Sequence, residues 1–142
     1  MSFEYEAQYD NDEVQFAYCI PYEYTRMISL VEELKESKNV KVENLCYSLS
    51  GVPVPLLTIT DPSDSVVPRL NRKIIIITAR VHPGESNGSF IMEGFLRNLV
   101  SKKAKSQQLL TRVIFKIIPM LNPDGVIIGN FRTSFCGRDL NR

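Results

Sequence analysis

Apolar and polar positions change period several times along this chain, and each change predicts an element. Ile74-Ile75-Ile76-Ile77 runs without a polar residue and continues into Thr78-Ala79. A short β-branched run, apolar at every position, predicts a central strand covered on both faces. Val113-Ile114-Phe115-Lys116-Ile117-Ile118 repeats the pattern and predicts a strand beside the first. Between them Phe90, Ile91, Phe95, Leu99 and Val100 give a helix an apolar face, and Ser86 or Asn87 can cap its start. Strand, helix, strand is the ordinary crossover between parallel neighbours. Gly94 within that helix costs about 1 kcal/mol against alanine, which suggests close packing there. Residues 102–108 read as a solvated surface, and Leu109-Leu110 as a second short helical turn.

Upstream, Met27, Leu30, Val31 and Leu34 share one face while Glu32, Glu33, Lys35 and Glu36 point away. That predicts an amphipathic helix of about four turns ending near residues 37–39. Residues 42–49 and 52–60 read as two strands joined at Ser50-Gly51. Pro53 and Pro55 remove ladder donors, so the second strand is expected to be an edge at its start. Residues 61–72, rich in proline, aspartate and serine, read as a loop. Residues 3–9 alternate apolar with polar, Asp10-Asn11-Asp12 turns the chain, and residues 14–19 run back, predicting a β-hairpin that needs a partner sheet. Val126-Ile127-Ile128 suggests a short strand. The fold class expected is α/β: a partial mixed sheet with flanking helices, preceded by the hairpin.

Composition narrows the function classes. A length of 142 residues with 44% apolar residues suits one domain with a modest core. A net charge of +1 gives no reason to expect nucleic acid as a partner. No apolar run approaches the roughly 18 residues of a membrane span. The polar, acidic start, Met1 to Glu6, is unlike a signal peptide. Cys19, Cys46 and Cys136 are far apart and odd in number, so reduced thiols in the cytosol are expected.

Candidate chemistry gathers where the isoleucine strand ends. His82-Pro83-Gly84-Glu85 follows it, and ligands of open α/β sheets bind beyond the carboxyl ends of the strands. An imidazole and a carboxylate are two of the three protein ligands a catalytic zinc needs. HxxE spacing alone arises by chance, and a lone histidine is more often a solvated or hydrogen-bonded residue. Asn122-Pro123-Asp124-Gly125 is expected to turn the chain at the same edge, though such turns are common. Arg132, Arg138 and Arg142 cluster with Asn141 in the last stretch, and guanidinium forks recognise carboxylates.

The segments ARVHPGES, FKIIPMLNPDG and GRDLNR, in this order, resemble the zinc carboxypeptidases of the M14 type, and most of all the cytosolic carboxypeptidases. The resemblance runs from about Phe16 to Arg142. It implies that residues 1–20 end an amino-terminal β-domain and that residues 21–142 are the first half of the peptidase domain. It makes His82 and Glu85 zinc ligands, Asn141 and Arg142 the pair that grips the substrate's terminal carboxylate, and Arg132 the residue that polarises the scissile carbonyl. Arg138 is a further substrate-binding candidate and the fallback for Arg132, whereas Asp139 is given a structural role. It implies Zn2+ as cofactor, with a second histidine and a glutamate general base beyond Arg142, since the chain holds one histidine. The 142 residues are accordingly read as a fragment, inactive alone and weak in zinc binding. Partners implied are peptide or protein C-terminal tails, glutamate-rich like those of tubulin, with neither nucleic acid nor membrane. An N-acyl amino acid deacylase of the aspartoacylase type shares the HxxE pair and the Asp-Leu-Asn-Arg segment. A non-catalytic binder of acidic tails is the other alternative.

Overall fold

The structure is a computed structural model that describes residues 2–142. Helix α1 (Tyr24–Lys35) buries Met27, Leu30, Val31 and Leu34, the stripe expected from the sequence. Strands β1 (Val40–Tyr47) and β2 (Pro53–Ile59) pair antiparallel, with a bulge between Asn44 and Cys46. A loop then leads to β3 (Lys73–Thr78), and helices α2 (Ser86–Leu99) and α3 (Ala104–Leu110) cross over to β4 (Val113–Ile118). Helix α4 (Pro123–Ile128) follows. The sheet order is β1-β2-β4-β3, with β3 parallel to β4 and the other pairs antiparallel. This is the mixed sheet with flanking helices that the pattern predicted.

β4 pairs with β2 only from Leu57 to Ile59, so the Pro53–Pro55 portion faces no strand on that side. The missing proline donors therefore leave no ladder broken. Leu57 and Ile59 of β2, Phe115 and Ile117 of β4, the α1 stripe, and Met92, Leu96 and Leu99 of α2 make one core. Each such side chain contributes about 1.5–3 kcal/mol by leaving water.

Four expectations are corrected. First, the isoleucine strand is an edge of the sheet among the described residues, and Ile74 and Ile76 are 61% and 69% exposed. Apolarity on both faces reports a strand's preference for cover, while the cover depends on neighbours, and β3 has only β4. Second, residues 3–9 and 14–19 carry no strand. The turn at Asp10-Asn11 forms and brings Phe3 and Tyr5 within 5.2 and 5.5 Å of Phe16, but no sheet lies beneath to order a ladder. Third, Val126-Ile127-Ile128 is helical. Asn122 caps α4 by accepting the Gly125 N–H at 3.0 Å, Pro123 opens it, and Gly129 closes it at φ 87. Fourth, Ile91 points outward at 70% exposure, and a Cβ added at Gly94 would meet nothing within 4 Å.

Candidate metal centre

The carboxyl ends of β3 and β4 stay zipped together past the sheet. Ala79 N–H donates to Ile118 O at 3.1 Å, Leu121 N–H to Ala79 O at 2.9 Å, and Asn122 N–H to Arg80 O at 3.3 Å. Arg80 then takes φ 57, a left-handed backbone, and the chain swings into His82-Pro83-Gly84-Glu85. Gly84 is required here. Its N–H donates to Phe131 O at 2.7 Å, and a Cβ would lie 2.5 Å from the Phe131 ring. Gly125 is packed as tightly, since a Cβ there would meet the Pro83 ring and Thr133 O. Asn122 Nδ2 donates to Val81 O at 3.1 Å and to Thr133 O at 3.3 Å. The Asn-Pro-Asp-Gly segment is thus a joint that locks the histidine turn to the loop after α4. Asp124 anchors the joint to the β1–β2 turn, accepting from Ser48 Oγ at 2.6 Å, Ser50 N–H at 3.3 Å and Ser50 Oγ. Burial pushes its pKa up, but these donors outweigh burial and hold it below the ordinary carboxylate range.

This scaffold brings His82 and Glu85 together. His82 is buried, and its Nδ1 lies 3.0 Å from Glu85 Oε1. Its other nitrogen, Nε2, lies 3.0 Å from Asp139 Oδ1, and Arg132 Nε donates to Asp139 Oδ2 at 2.7 Å. Asn141 N–H donates to Asp139 Oδ1 at 2.9 Å. That last bond, then those of His82 and Arg132, holds the Asp139 carboxyl down at about 2. Asn141 and Glu85 line a cleft of about 640 Å³ with Thr78, Arg80, Phe95 and Leu140. Arg142 is exposed and donates from Nη1 to Asn141 O at 2.8 Å. Arg138 is exposed, and its backbone carbonyl takes the Ser134 N–H at 2.8 Å.

Two donors bound to one tetrahedral zinc at about 2.0–2.1 Å stand about 3.3 Å apart. The His82–Glu85 separation of 3.0 Å fits that geometry. Asp139 at Nε2 fits it further, because a carboxylate there accepts a hydrogen bond from Nε2–H and so favours the tautomer whose Nδ1 lone pair faces Glu85. Among the described residues no set of three His, Cys, Asp or Glu side chains could hold a metal ion. Asp139 is the residue that sequence reasoning undervalued. It contacts both His82 and Arg132, and the one acid among the terminal arginines is the signal in the sequence.

A crossover α/β sheet with a histidine and a carboxylate converging at its strand ends defines the class, an α/β protein with a candidate site where ligands of such sheets bind. Comparison with known proteins gives the family. The zinc carboxypeptidase family model matches residues 27–142. Cytosolic carboxypeptidase 2 of Xenopus tropicalis is 46% identical over all of this chain, and that of Homo sapiens is 47% identical over 94% of it. The chain spans 15% of each of those two relatives. A metallo-carboxypeptidase from Burkholderia cenocepacia superposes with a TM-score of 0.77 and 32% identity, over 85% of this chain and 32% of that one. One from Pseudomonas aeruginosa, in complex with (2-guanidinoethylmercapto)succinic acid, gives 0.72 and 30%, over 85% and 31%. The chain belongs to the zinc carboxypeptidase family, M14. No helix among the described residues is long and apolar enough to cross a membrane.

Proposed function

We propose that this chain carries the first half of the working site of a zinc carboxypeptidase that removes C-terminal or side-chain-linked residues, glutamate above all, from protein tails in the cytoplasm. The observation that carries the reading is the 3.0 Å approach of His82 Nδ1 to Glu85 Oε1, with Asp139 behind the ring. When bound, zinc supplies Lewis-acid activation of a water and of the scissile carbonyl. His82 and Glu85 would hold the ion, and Asp139 would fix the tautomer of His82. Arg132, steadied through Nε by Asp139, presents its guanidinium to the carbonyl oxygen as negative charge builds there, which favours the transition state over the ground state. Asn141 and Arg142, with Arg138 beside them in sequence, grip the substrate's terminal carboxylate. The third metal ligand and the general base are assigned to no residue here. Support for carboxylate recognition comes from the Pseudomonas aeruginosa relative, whose bound ligand is a succinic acid derivative. The cytosolic carboxypeptidase names of the relatives support the compartment, and glutamate-rich tails such as tubulin's are the partners this reading expects.

Calorimetric titration with Zn2+, and then with glutamate-ending peptides, tests it. His82→Ala and Glu85→Gln are each expected to weaken zinc binding by about tenfold or more. Amidating the peptide's C-terminus, or Arg142→Ala, is expected to abolish peptide binding. Zinc affinity unmoved by both ligand variants, or equal binding of amidated and free peptides, would sink the reading. Tight binding of an N-acyl amino acid in place of the peptide would favour deacylase chemistry.

A further inference from the structure

Arg80 combines a strained backbone with a buried charge at the threshold of the metal centre. Its φ of 57 lies in the left-handed region, which among the described non-glycine residues it shares only with Asn11. Glycine or asparagine adopts that conformation at little cost, whereas an arginine held there needs its surroundings to impose it. The guanidinium is buried, with the residue 7% exposed, and its hydrogen bonds go to neutral oxygens. Nε donates to Pro83 O at 2.8 Å, and Nη1 donates to Ser89 Oγ at 2.8 Å and to Tyr22 O at 3.2 Å. These oxygens belong to three separate pieces: the turn between His82 and Glu85, the start of α2, and the segment entering α1.

Pro83 O sits on the peptide link midway between the two metal donors. A rigid fork that holds this oxygen, while its other arm is fixed to α2, sets how far His82 and Glu85 stand apart. Because α2 begins at Ser86, directly after Glu85, the clamp ties that glutamate to the helix as well. We propose that Arg80 is a positioning residue for the metal, a clamp that sets the bite of His82 and Glu85 before an ion arrives. The inference rests on the reading that those two side chains bind a metal. An arginine needed only to fill space would be replaceable there with no consequence for the ion. A clamp would not, because a turn free to relax makes each ion pay the ordering cost on binding.

Titrating the full chain with Co2+, followed by its visible absorption and by competition with Zn2+, tests the clamp, alongside thermal melting of the metal-free protein. His82→Ala is the control for the site itself, and if it binds cobalt as the wild type does, the metal reading falls and the clamp with it. Arg80→Gly suits the left-handed backbone, and it is expected to lose about 10–100-fold in cobalt affinity and to shift the visible band. Arg80→Lys keeps charge and length without the fork, and is expected to recover part of that loss. Ser89→Ala, which frees one arm, is expected to fall between wild type and Arg80→Gly. Wild-type affinity and spectrum in both Arg80 variants, with His82→Ala impaired, would leave Arg80 a purely structural residue and overturn the proposal. If Arg80→Gly does not fold, Arg80→Lys decides alone: weaker cobalt binding at an unchanged melting temperature supports the clamp, and unchanged binding overturns it.

Discussion

Two buried arginines bracket β3, Arg72 at its entry and Arg80 at its exit, and the same side chain is used in opposite ways. Arg72 sits on relaxed extended backbone, φ −74 and ψ 141. Its Nε donates to Val67 O at 2.9 Å, while Nη1 donates to Thr60 Oγ1 at 2.9 Å, Asp61 O at 2.5 Å and Leu110 O at 3.3 Å. Nη2 reaches Ser63 O, so one guanidinium closes the whole loop between β2 and β3. Arg80 has fewer partners and a left-handed backbone, and two of its three hydrogen bonds go to the histidine turn and the helix that follows it. Where the backbone is relaxed and the fork saturated, the arginine serves the fold. Strain is tolerated where geometry at a site is being imposed.

The contrast can be broken most forcefully at the entry. Arg72→Met removes the donor shared by Val67 O, Asp61 O and Ser63 O and is expected to cost about 3 kcal/mol of stability, read by denaturant unfolding. Metal affinity of the protein that remains folded should not move, and a parallel loss would erase the distinction. At the exit, Asp139→Asn is expected to act first on the ion, lowering metal affinity by about 10–100-fold, with a smaller loss of stability than Arg72→Met. The same variant has a pH signature. The Asp139 carboxyl is depressed from 3.8 to about 2, chiefly by the Asn141 N–H, so it stabilises the fold above about pH 4 and that contribution is lost as pH falls through about 2. Unfolding midpoints of wild type and Asp139→Asn should therefore converge across that window, and curves that stay parallel would count against the Asp139 network. The smallest effect is expected away from both arginines. Gly94→Ala enters open space on α2 and should raise stability by up to about 1 kcal/mol without touching metal binding.

Local pattern made much of this architecture readable. The α1 stripe, the crossover from β3 to β4 and the position of His82 and Glu85 follow from periodicity, which is a property of neighbouring residues. What escaped the sequence depends on partners distant in the chain. The isoleucines of β3 announce a wish for cover without saying that β4 is their one neighbour strand among the described residues. The alternation over residues 3–9 resembles a strand, yet no ladder forms without a sheet to lie on. Asn122-Pro123-Asp124-Gly125 reads locally as a turn, although cap, first-turn proline and closing glycine together spell a helix. The guanidinium clamps leave no periodic trace at all, because most of their acceptors are backbone carbonyls, which every residue possesses. Asp139 was visible in the sequence but its importance was not, since only folding brings it behind His82.

The outer margin of β3 carries a consequence for handling the molecule. Lys73 is the only charge beside a run of four isoleucines whose outer N–H and C=O groups meet no strand among the described residues, and neither a proline nor a bulge interrupts it. Such a margin is a template on which further copies can stack, strand upon strand. Concentrated solutions of the 142-residue chain should thus be limited by fibrillar or amorphous precipitation well before unfolding sets in, and a second lysine in place of Ile75 is the gatekeeper that would delay it.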